Sequence, residues 1–488
     1  MPVTRGTPNQ AGTVRGLAQA PLHLQNMVAE LVDNALGCGA KSVWIDLSAH
    51  PAGGDLYVLR IWDDGPGVSL TDLEEKVFSL GQPPAGGSHL NEHGFGLKNV
   101  LAKAEQLSTV DWFFRTRDSV AVSANQFFQC KRPFSFAIPI EVLSSADWPP
   151  YASTGTGTVC EIVVPMSYMQ SVAFGRRGAL PRDLGRIMDY LREHLGVLYR
   201  GYLEGGIRAA AQLFTSTELG HKEHIDLIEA DFRSKDSFGF TLTISGQHVA
   251  VSGKVGLVDK DSQNTKARLL YYKHTPESQG IDIRVGKRVV ATRLISEIWE
   301  RDRHPSLNGI AGEFVIPGTR GIAPPTLNNK TSIDFDSPTW HAIVEGIQQA
   351  LPKDDLPHGG GKSEDDLRDE LFQHINGLKR PTDSLQKEFD CTHGIAVDIV
   401  WDQTARGGPL EIFEVKKGKA APLDLYQLVM YWDALVSAGR QPNSAHLVSS
   451  GRTTGVNTLM SFLTSRCDAN GKTYDFTVDD WSAHGIAP

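Results

Sequence analysis

A carboxylate and an amide, one helical turn apart, are the first residues in the chain whose types suit chemistry. Glu30 and Asn34 are four residues apart, so on a helix they lie one above the other on the same face. An amide oxygen can ligate Mg²⁺, and a carboxylate can polarise a water molecule. Taken alone, such a pair is also typical of a solvated helix face. Neighbouring motifs must therefore decide whether it belongs to a site.

The residues around this pair predict a helix followed by a strand. Gly37 and Gly39 favour a helix end, and residues 41–47 are rich in the β-branched and aromatic side chains of strands. Apolar side chains recur at helical spacing before the glycines. They are Leu24, Met27, Val28, Leu31, Val32 and Ala35.

An aspartate and two glycines follow the next predicted strand, residues 56–62. The carboxylate of Asp63 can accept a hydrogen bond from an exocyclic amine. Gly65 and Gly67 leave room for a flat ring to approach the backbone. These features suit a purine site, although an ordinary turn has the same composition.

A second pair of glycines precedes a predicted helix at residues 99–107. Gly94 and Gly96 leave backbone N–H groups available for phosphate, and Lys98 adds a positive charge. The stretch suits a phosphate site, with an ordinary turn again as the alternative.

In this order and spacing, the three stretches resemble the motifs of the GHKL ATPases, a superfamily that includes gyrase B, MutL, histidine kinases and MORC proteins. The resemblance spans residues 20–165 and extends to Gly157 and Thr158, which look like the family's late Gly-Thr beside the adenine pocket. One departure is Asn91, where the third motif often has glycine. The resemblance implies ATP and Mg²⁺ as cofactors and an ATP lid within residues 68–93. The implied roles are general-base catalysis by Glu30, Mg²⁺ binding by Asn34, adenine recognition by Asp63 with Thr158, ring approach at Gly65 and Gly67, and phosphate binding by Gly94, Gly96 and Lys98.

Residues 180–350 have the periodicity of an α+β domain, a helical pattern followed by alternating strands. Residues 268–274 and 280–294 are among the predicted strands. The region resembles the transducer domain of MORC proteins, in which a single lysine reaches the γ-phosphate. The resemblance assigns that role to Lys330.

Acidic residues and a lysine come together again near the end of the chain. Glu414 and Lys416 share one face of a predicted strand, because side chains alternate along a strand, and Asp398 is predicted to end the strand before it. Two carboxylates can hold Mg²⁺ or Mn²⁺, the ion lowers the pKa of a bound water, and lysine stabilises developing charge. A simple ion pair between Glu414 and Lys416 is the alternative.

This stretch resembles the core of the PD-(D/E)XK nucleases, which implies Asp398 and Glu414 as metal ligands and Lys416 as a catalytic residue. A preceding predicted helix offers Glu370, and Gln427 with Tyr431 resembles a further motif of the RecB-like members. The residue before Asp398 is Val397, where the pattern often has proline. A degenerate fold that binds DNA without cutting it remains open.

The composition limits the other possibilities. The chain has 488 residues, of which 40% are hydrophobic, which suits about three domains. A net charge of -9 means that any nucleic-acid site must be a local basic groove. The longest apolar runs are too short for a membrane span. The first residues lack the apolar core of a secretory signal, and five scattered cysteines favour a reducing cytoplasm.

We therefore predict a multidomain α+β protein with a GHKL (Bergerat) α/β sandwich, a transducer α+β domain and a restriction-endonuclease-like α/β domain. The predicted divisions are an N-terminal strap or disordered tail at 1–20, the ATP-binding domain at 20–175, the transducer-like domain at 180–350, a linker at 352–363 and the nuclease-like domain at 364–488.

The combined expectation is an ATPase that closes as a homodimeric clamp and carries a Mg²⁺-dependent nuclease acting on DNA. RNA as target and an unidentified protein partner are left open. The fusion suggests defence against phage or plasmid DNA, with DNA repair, a non-cleaving MORC-like scaffold and a chaperone-like ATPase as alternatives. Basic candidates for nucleic-acid contact are Arg176, Arg177, Arg284, Lys287, Arg288, Lys417 and Lys419.

Overall fold

The computed structural model describes residues 10–19, 21–79, 94–152, 154–173, 180–206, 209–219, 221–244, 246–300, 302–304, 307–318, 333–356, 364–392 and 395–486. The chain divides into two compact units, Met1–Gly359 and Gly360–Pro488. Several predictions fall outside the described residues: Lys330, Arg176, Arg177, Asn91 with most of the predicted lid, and most of the predicted linker.

An eight-stranded sheet organises the first part of the first unit. Its strands are β1 (Ser42–Ala49), β2 (Leu56–Asp63), β3 (Phe113–Arg117), β4 (Gln126–Lys131), β5 (Glu141–Ser144), β6 (Gly157–Pro165), β7 (Gln212–Glu218) and β8 (His221–His224). Their order across the sheet is β5-β4-β3-β6-β2-β1-β7-β8. Every neighbouring pair is antiparallel except β1 and β7, which are parallel. Thus β7 and β8, which lie beyond residue 175 in the chain, complete the sheet.

Helices supply the apolar side chains that pack with this sheet into one core. They are α1 (Gln10–Gln19), α2 (Leu24–Gly37), α3 (Leu70–Asp72), α4 (Gly96–Leu107), α5 (Ser119–Ser123), α6 (Met166–Met169), α7 (Leu184–Leu198) and α8 (Arg200–Leu203). A turn of π-helix, Leu73–Val77, follows α3. The apolar residues predicted for α2 are all buried, which confirms its periodicity. Residues 10–19, which belong to the predicted strap or tail, are helical, and Val14 and Leu17 pack against the core.

A five-stranded sheet follows within the same unit, in the order β12-β11-β13-β10-β9. Its strands are β9 (Phe232–Ile244), β10 (Gln247–Val258), β11 (Gly280–Val285), β12 (Arg288–Leu294) and β13 (Ile310–Ile316), accompanied by α9 (Gln263–Ala267), α10 (Ser296–Trp299) and α11 (Pro338–Ala350). Ser337 caps α11 by accepting a hydrogen bond from the backbone N–H of Trp340.

The strand predicted at residues 268–274 is wrong, because this stretch forms bends with Tyr272 and His274 at positive φ. The two tyrosines of this stretch make hydrogen bonds through their hydroxyls and do not pair with a neighbouring strand. The hydroxyl of Tyr271 lies 2.7 Å from Nδ1 of His194, and the hydroxyl of Tyr272 donates to Asp282 at 2.6 Å. Both tyrosines are buried, so their hydroxyls need such partners.

The second unit is a five-stranded mixed sheet in the order β14-β15-β16-β17-β18. Its elements are α12 (Glu364–Leu378), β14 (Ser384–Thr392), β15 (Ile395–Asp402), β16 (Leu410–Val415), α13 (Pro422–Ser437), β17 (Ser444–Ser449), α14 (Thr454–Leu463) and β18 (Phe476–Asp480). Ile412 belongs to one apolar cluster while Phe413 and Val415 belong to another, so β16 has two buried faces. This alternation confirms the parity predicted for β16.

None of the helices in the described part of the chain has the length and apolar character needed to cross a bilayer.

Candidate nucleotide and nuclease sites

Helix α2 positions the first predicted pair. Asn34 lines a cavity of about 310 Å³, while Glu30 lies one turn earlier and is only 2% exposed. The carboxylate of Glu30 lies against Gly96, the first residue of α4. A Cβ atom at position 96 would lie within 3.0 Å of Glu30 Oε2, so the two helices approach this closely only because residue 96 is glycine.

Asp63, the last residue of β2, lies in the same cavity. Burial raises the pKa of Asp63 to about 7, against the effect of hydrogen bonds from the backbone of Gly65 and Thr158. The Gly65 N–H donates to Asp63 Oδ1 at 2.8 Å. Its neighbour Asp64 fixes the same turn by accepting from the backbone N–H groups of Lys41 and Ser42, each at 2.8 Å.

Gly67 brings the chain past β3 at very short range. Its φ is +70°, and a Cβ atom there would lie within 3.0 Å of the carbonyl oxygen of Arg117. Both the conformation and the space therefore require glycine at this position. Backbone atoms, and not a side chain, therefore line the cavity at Gly67.

The start of α4 forms the other end of the cavity. Lys98 is 4% exposed and its ammonium donates to the carbonyl oxygen of Gly94. Burial lowers the pKa of Lys98 to about 8. A partly desolvated ammonium beside the N-terminal amides of a helix is a suitable environment for phosphate oxygens.

The predicted nucleotide residues therefore converge. The cavity is lined by Asn34, Asp63, Gly67, Gly94, Gly96, Lys98 and Thr158. Gly65 contacts Asp63 at its edge, and Glu30 lies beside Gly96. The cavity volume of about 310 Å³ falls within the usual range for small-molecule sites.

In the second unit, strand register brings two carboxylates together. Ile399 pairs with Phe413, so Asp398 on β15 lies next to Glu414 on β16. Asp398 is in the interior of β15, not at its end as the sequence suggested, and its Oδ2 accepts from the Val415 N–H at 2.9 Å. Burial, followed by the charge of Asp398, raises the pKa of Glu414 to about 7.

Lys416 completes this cluster. Its Nζ lies 2.7 Å from Glu414 Oε1, as expected from residues on one strand face. Glu414 is 3% exposed, and its second oxygen, Oε2, is buried without a hydrogen-bond partner among the residues that the structure describes. Such an atom fits a ligand that brings positive charge, since a buried carboxylate oxygen otherwise loses its solvation. Asp398 and Glu414 therefore fit a divalent cation.

Helix α12 contributes residues that the sequence analysis did not select. Glu364 Oε1 lies 3.8 Å from Lys416 Nζ, and its Oε2 accepts from the Lys417 N–H at 2.9 Å. Glu364 and Glu370 are both exposed on this helix, and the contacts with Lys416 and Lys417 place Glu364 at the cluster. Arg368, one turn after Glu364, has its Nη1 3.2 Å from Asp398 Oδ1.

Helix α13 passes the same cluster. Tyr431 is buried, and burial together with the charges of Glu414 and Asp398 raises its pKa. Gln427 is half-buried one turn before it. Among the described residues, no group of three or more His, Cys, Asp or Glu side chains has metal-binding geometry, and Arg368 and Lys416 pair with Asp398 and Glu414.

The family profile described as "Histidine kinase-, DNA gyrase B-, and HSP90-like ATPase" matches residues 19–166. Residues 19–166 form a GHKL ATPase domain. This match coincides with the stretch that holds the cavity, and it confirms the ATPase part of the sequence resemblance.

Solved structures resemble the chain beyond the GHKL domain. The N-terminal domain of a DNA repair protein is 12% identical with a TM-score of 0.41, over 70% of this chain and 97% of that chain. The Aquifex aeolicus MutL ATPase domain complexed with ADP is 11% identical with a TM-score of 0.32, over 60% and 92%. A repair endonuclease from Pyrococcus abyssi is 19% identical with a TM-score of 0.19, over 25% and 49%. These low scores support no functional argument, and no curated protein matches.

Two predicted nucleic-acid contacts have other partners in the structure. Arg288 is buried and pairs with Asp33 of the GHKL domain, and Arg284 pairs with Glu204 and Glu313. Arg288 is therefore an interior contact, whereas Arg284 is a half-buried member of ion pairs. Lys287 and Lys419 are exposed, and Lys417 is half-buried.

Proposed function

We propose that this protein is an ATP-hydrolysing clamp for DNA whose second unit cleaves DNA with a divalent metal ion. The observation that carries the nuclease part is the convergence of Asp398, Glu414 and Lys416 from two strands, with Glu414 Oε2 buried and open to a cation. The GHKL domain supports the ATPase part.

In the ATPase half, Asn34 would hold Mg²⁺ and Glu30 would accept a proton from the attacking water. Asp63 would accept a hydrogen bond from the adenine amine, and Lys98 would neutralise phosphate charge. The bound ion supplies charge neutralisation on the phosphates. The burial of Glu30 against Gly96 fixes the carboxylate on one side of the cavity, which favours a single orientation for the water.

In the nuclease half, Asp398 and Glu414 would hold Mg²⁺ or Mn²⁺. The metal lowers the pKa of a bound water and stabilises the leaving oxygen. Lys416 would orient the nucleophile or stabilise the charge that develops on the phosphate. Glu364, rather than Glu370, would join this cluster, since it already approaches Lys416.

A non-cleaving clamp is the second candidate, because Arg368 already provides a cation at Asp398. In that case the unit would bind DNA through its fold and the carboxylates would be structural. A homodimer closed by ATP and a duplex DNA target fit both candidates, and RNA remains a further target to be compared.

The test is plasmid cleavage by the full chain with Mg²⁺ or Mn²⁺, with and without ATP. Glu414→Gln and Lys416→Ala are the informative variants, and Lys379→Ala is the matched control because Lys379 is an exposed lysine of the same unit. The nuclease proposal predicts a loss of cutting of at least about 100-fold in both variants, with the control unchanged.

Equal cutting by Glu414→Gln and the parent would assign the activity to a contaminant and leave the clamp. Retention of DNA without cutting, weakened by salt, would favour the non-cleaving clamp. The absence of both cutting and retention at low salt would sink both candidates.

A further inference from the structure

Asp33 connects α2, the helix that carries Glu30 and Asn34, to the second sheet of the same unit. It lies between Glu30 and Asn34 on α2, yet its carboxylate is 1% exposed and pairs with a residue 255 positions later in the chain. That residue is Arg288, at the start of β12. Its Nε lies 3.0 Å from Asp33 Oδ1 and its Nη2 lies 3.2 Å from Oδ2, a two-point contact.

Tyr199, directly after α7, closes the contact. Its hydroxyl lies 2.8 Å from Asp33 Oδ1 and 2.9 Å from the carbonyl oxygen of Ala29. The guanidinium of Arg288 lies 5.2 Å from the centre of the Tyr199 ring. Three elements, α2, α7 and β12, therefore meet at the one turn of α2 that begins beside Glu30 and ends beside Asn34.

The Arg288 guanidinium is fixed by this contact and has little freedom to move. It is buried, and a further N–H of its guanidinium donates to the carbonyl oxygen of Val289. A planar guanidinium that uses both edges in this way sets position and rotation together, which a lysine ammonium cannot do. The negative charges of Asp33 and of Glu30, the carboxylate beside the cavity, raise the pKa of Arg288 against the effect of burial.

We propose that Arg288 is a positioning residue for ATP hydrolysis: through Asp33 it fixes the rotation of α2, and with it the positions of Glu30 beside Gly96 and of Asn34 in the nucleotide cavity. This inference rests on the ATPase activity proposed above. It makes turnover depend on the docking of the second sheet, although neither Asp33 nor Arg288 lines the cavity.

The experiment compares Arg288→Gln, Asp33→Asn, the double variant and Arg288→Lys in the full chain. Lys287→Gln is the control, since it removes an exposed charge from the adjacent position. The readouts are kcat and KM for ATP, ADP affinity by calorimetry, and the melting temperature. The single variants are expected to lose about 10- to 100-fold in kcat. ADP affinity stays near that of the parent, because Asp63 and its turn are untouched.

The double variant distinguishes a positioning role of Arg288 from a contribution of the ion pair to stability. Removing both charges leaves no unpaired buried ion, so the melting temperature should recover toward the parent. The kcat should remain low, because the two-point contact is absent, and Arg288→Lys should restore only part of it. If either single variant fails to fold, the double variant and Arg288→Lys still distinguish the positioning role from a structural one.

Two outcomes overturn the proposal in different ways. A double variant with the melting temperature and the kcat of the parent would reduce the pair to a structural contact and leave the ATPase function intact. A parent chain that binds ADP but does not hydrolyse ATP would overturn the proposed ATPase, and the positioning role with it.

Discussion

Gly96, the first residue of α4, packs its backbone against the carboxylate of Glu30 on α2. The helix that would bind phosphate and the helix that would activate water thus share one contact. Any side chain at position 96 must displace the carboxylate or separate the helices. Chemistry and packing therefore impose the same requirement on residue 96.

Gly96→Ala is expected to reduce ATP turnover by about 10- to 100-fold, because its Cβ would push Glu30 from its position. Gly16→Ala on α1 is the matched control, since a Cβ there meets no atom within 4 Å. Steady-state kinetics of both variants test this. Unchanged turnover in Gly96→Ala would show that Glu30 tolerates displacement and would argue against its role as the base.

Asp63→Asn is expected to weaken nucleotide binding and to stabilise the free protein at alkaline pH. The pKa of Asp63 is raised to about 7, whereas that of an unfolded aspartate is about 3.9. Between these values the folded state holds the extra proton, so this group lowers stability as pH rises toward 7. Asparagine removes that loss, which is complete above pH 7.

Melting temperatures of the parent and Asp63→Asn at pH 5 and pH 8 check the stability effect, and ADP calorimetry over the same range checks binding. The parent's ADP affinity should rise with pH through about 7, because the ionised carboxylate is the better acceptor for an amine. An affinity that stays flat with pH in the parent would remove Asp63 from adenine recognition.

Arg368→Gln is expected to strengthen Mn²⁺ binding by about tenfold, since it removes the cation that now occupies Asp398. Arg406→Gln is the control, because Arg406 pairs with Asp383 elsewhere in the same unit. Calorimetric titration with Mn²⁺ measures the effect without requiring cleavage. Weaker Mn²⁺ binding in Arg368→Gln would mean that the arginine organises the site rather than competing for it.

Glu364→Gln is expected to reduce DNA cleavage by about tenfold or more, whereas Glu370→Gln leaves it near the parent value. The reason is geometric, since Glu364 approaches Lys416 and Glu370 is exposed on the same helix. Initial rates of plasmid nicking compare the pair directly. Loss of cutting in Glu370→Gln alone would restore the residue chosen from the sequence.

Local patterns predicted the elements well where one face is buried. The periodicity of α2, the alternation on β16 and the helix at 364–378 all follow from residue spacing. The choice of Glu370 over Glu364 could not be settled this way, because acidic residues crowd the first two turns of α12. Only the packing of Leu367 and Leu371 fixes which of them turns toward Lys416.

Contacts between distant residues escaped the sequence reasoning. Arg288 looked like a candidate for nucleic acid because basic residues in a hairpin are usually solvated, yet it is buried against Asp33. The signal was Asp33, a charged residue within a largely apolar helical stretch. Its partner, 255 residues away, is fixed only by the tertiary structure.

The sheet order determines where the chain can be divided without exposing a strand edge. Strand β7 pairs in parallel with β1, and Phe214 stacks on Trp44 at 5.7 Å. A gene fragment that ended at residue 175 would encode a sheet whose β1 edge is open, with unpaired amides and an uncovered tryptophan, which favours aggregation. A fragment meant to fold as the ATP-binding part must therefore continue at least through β8, because β7 and β8 cover the β1 edge.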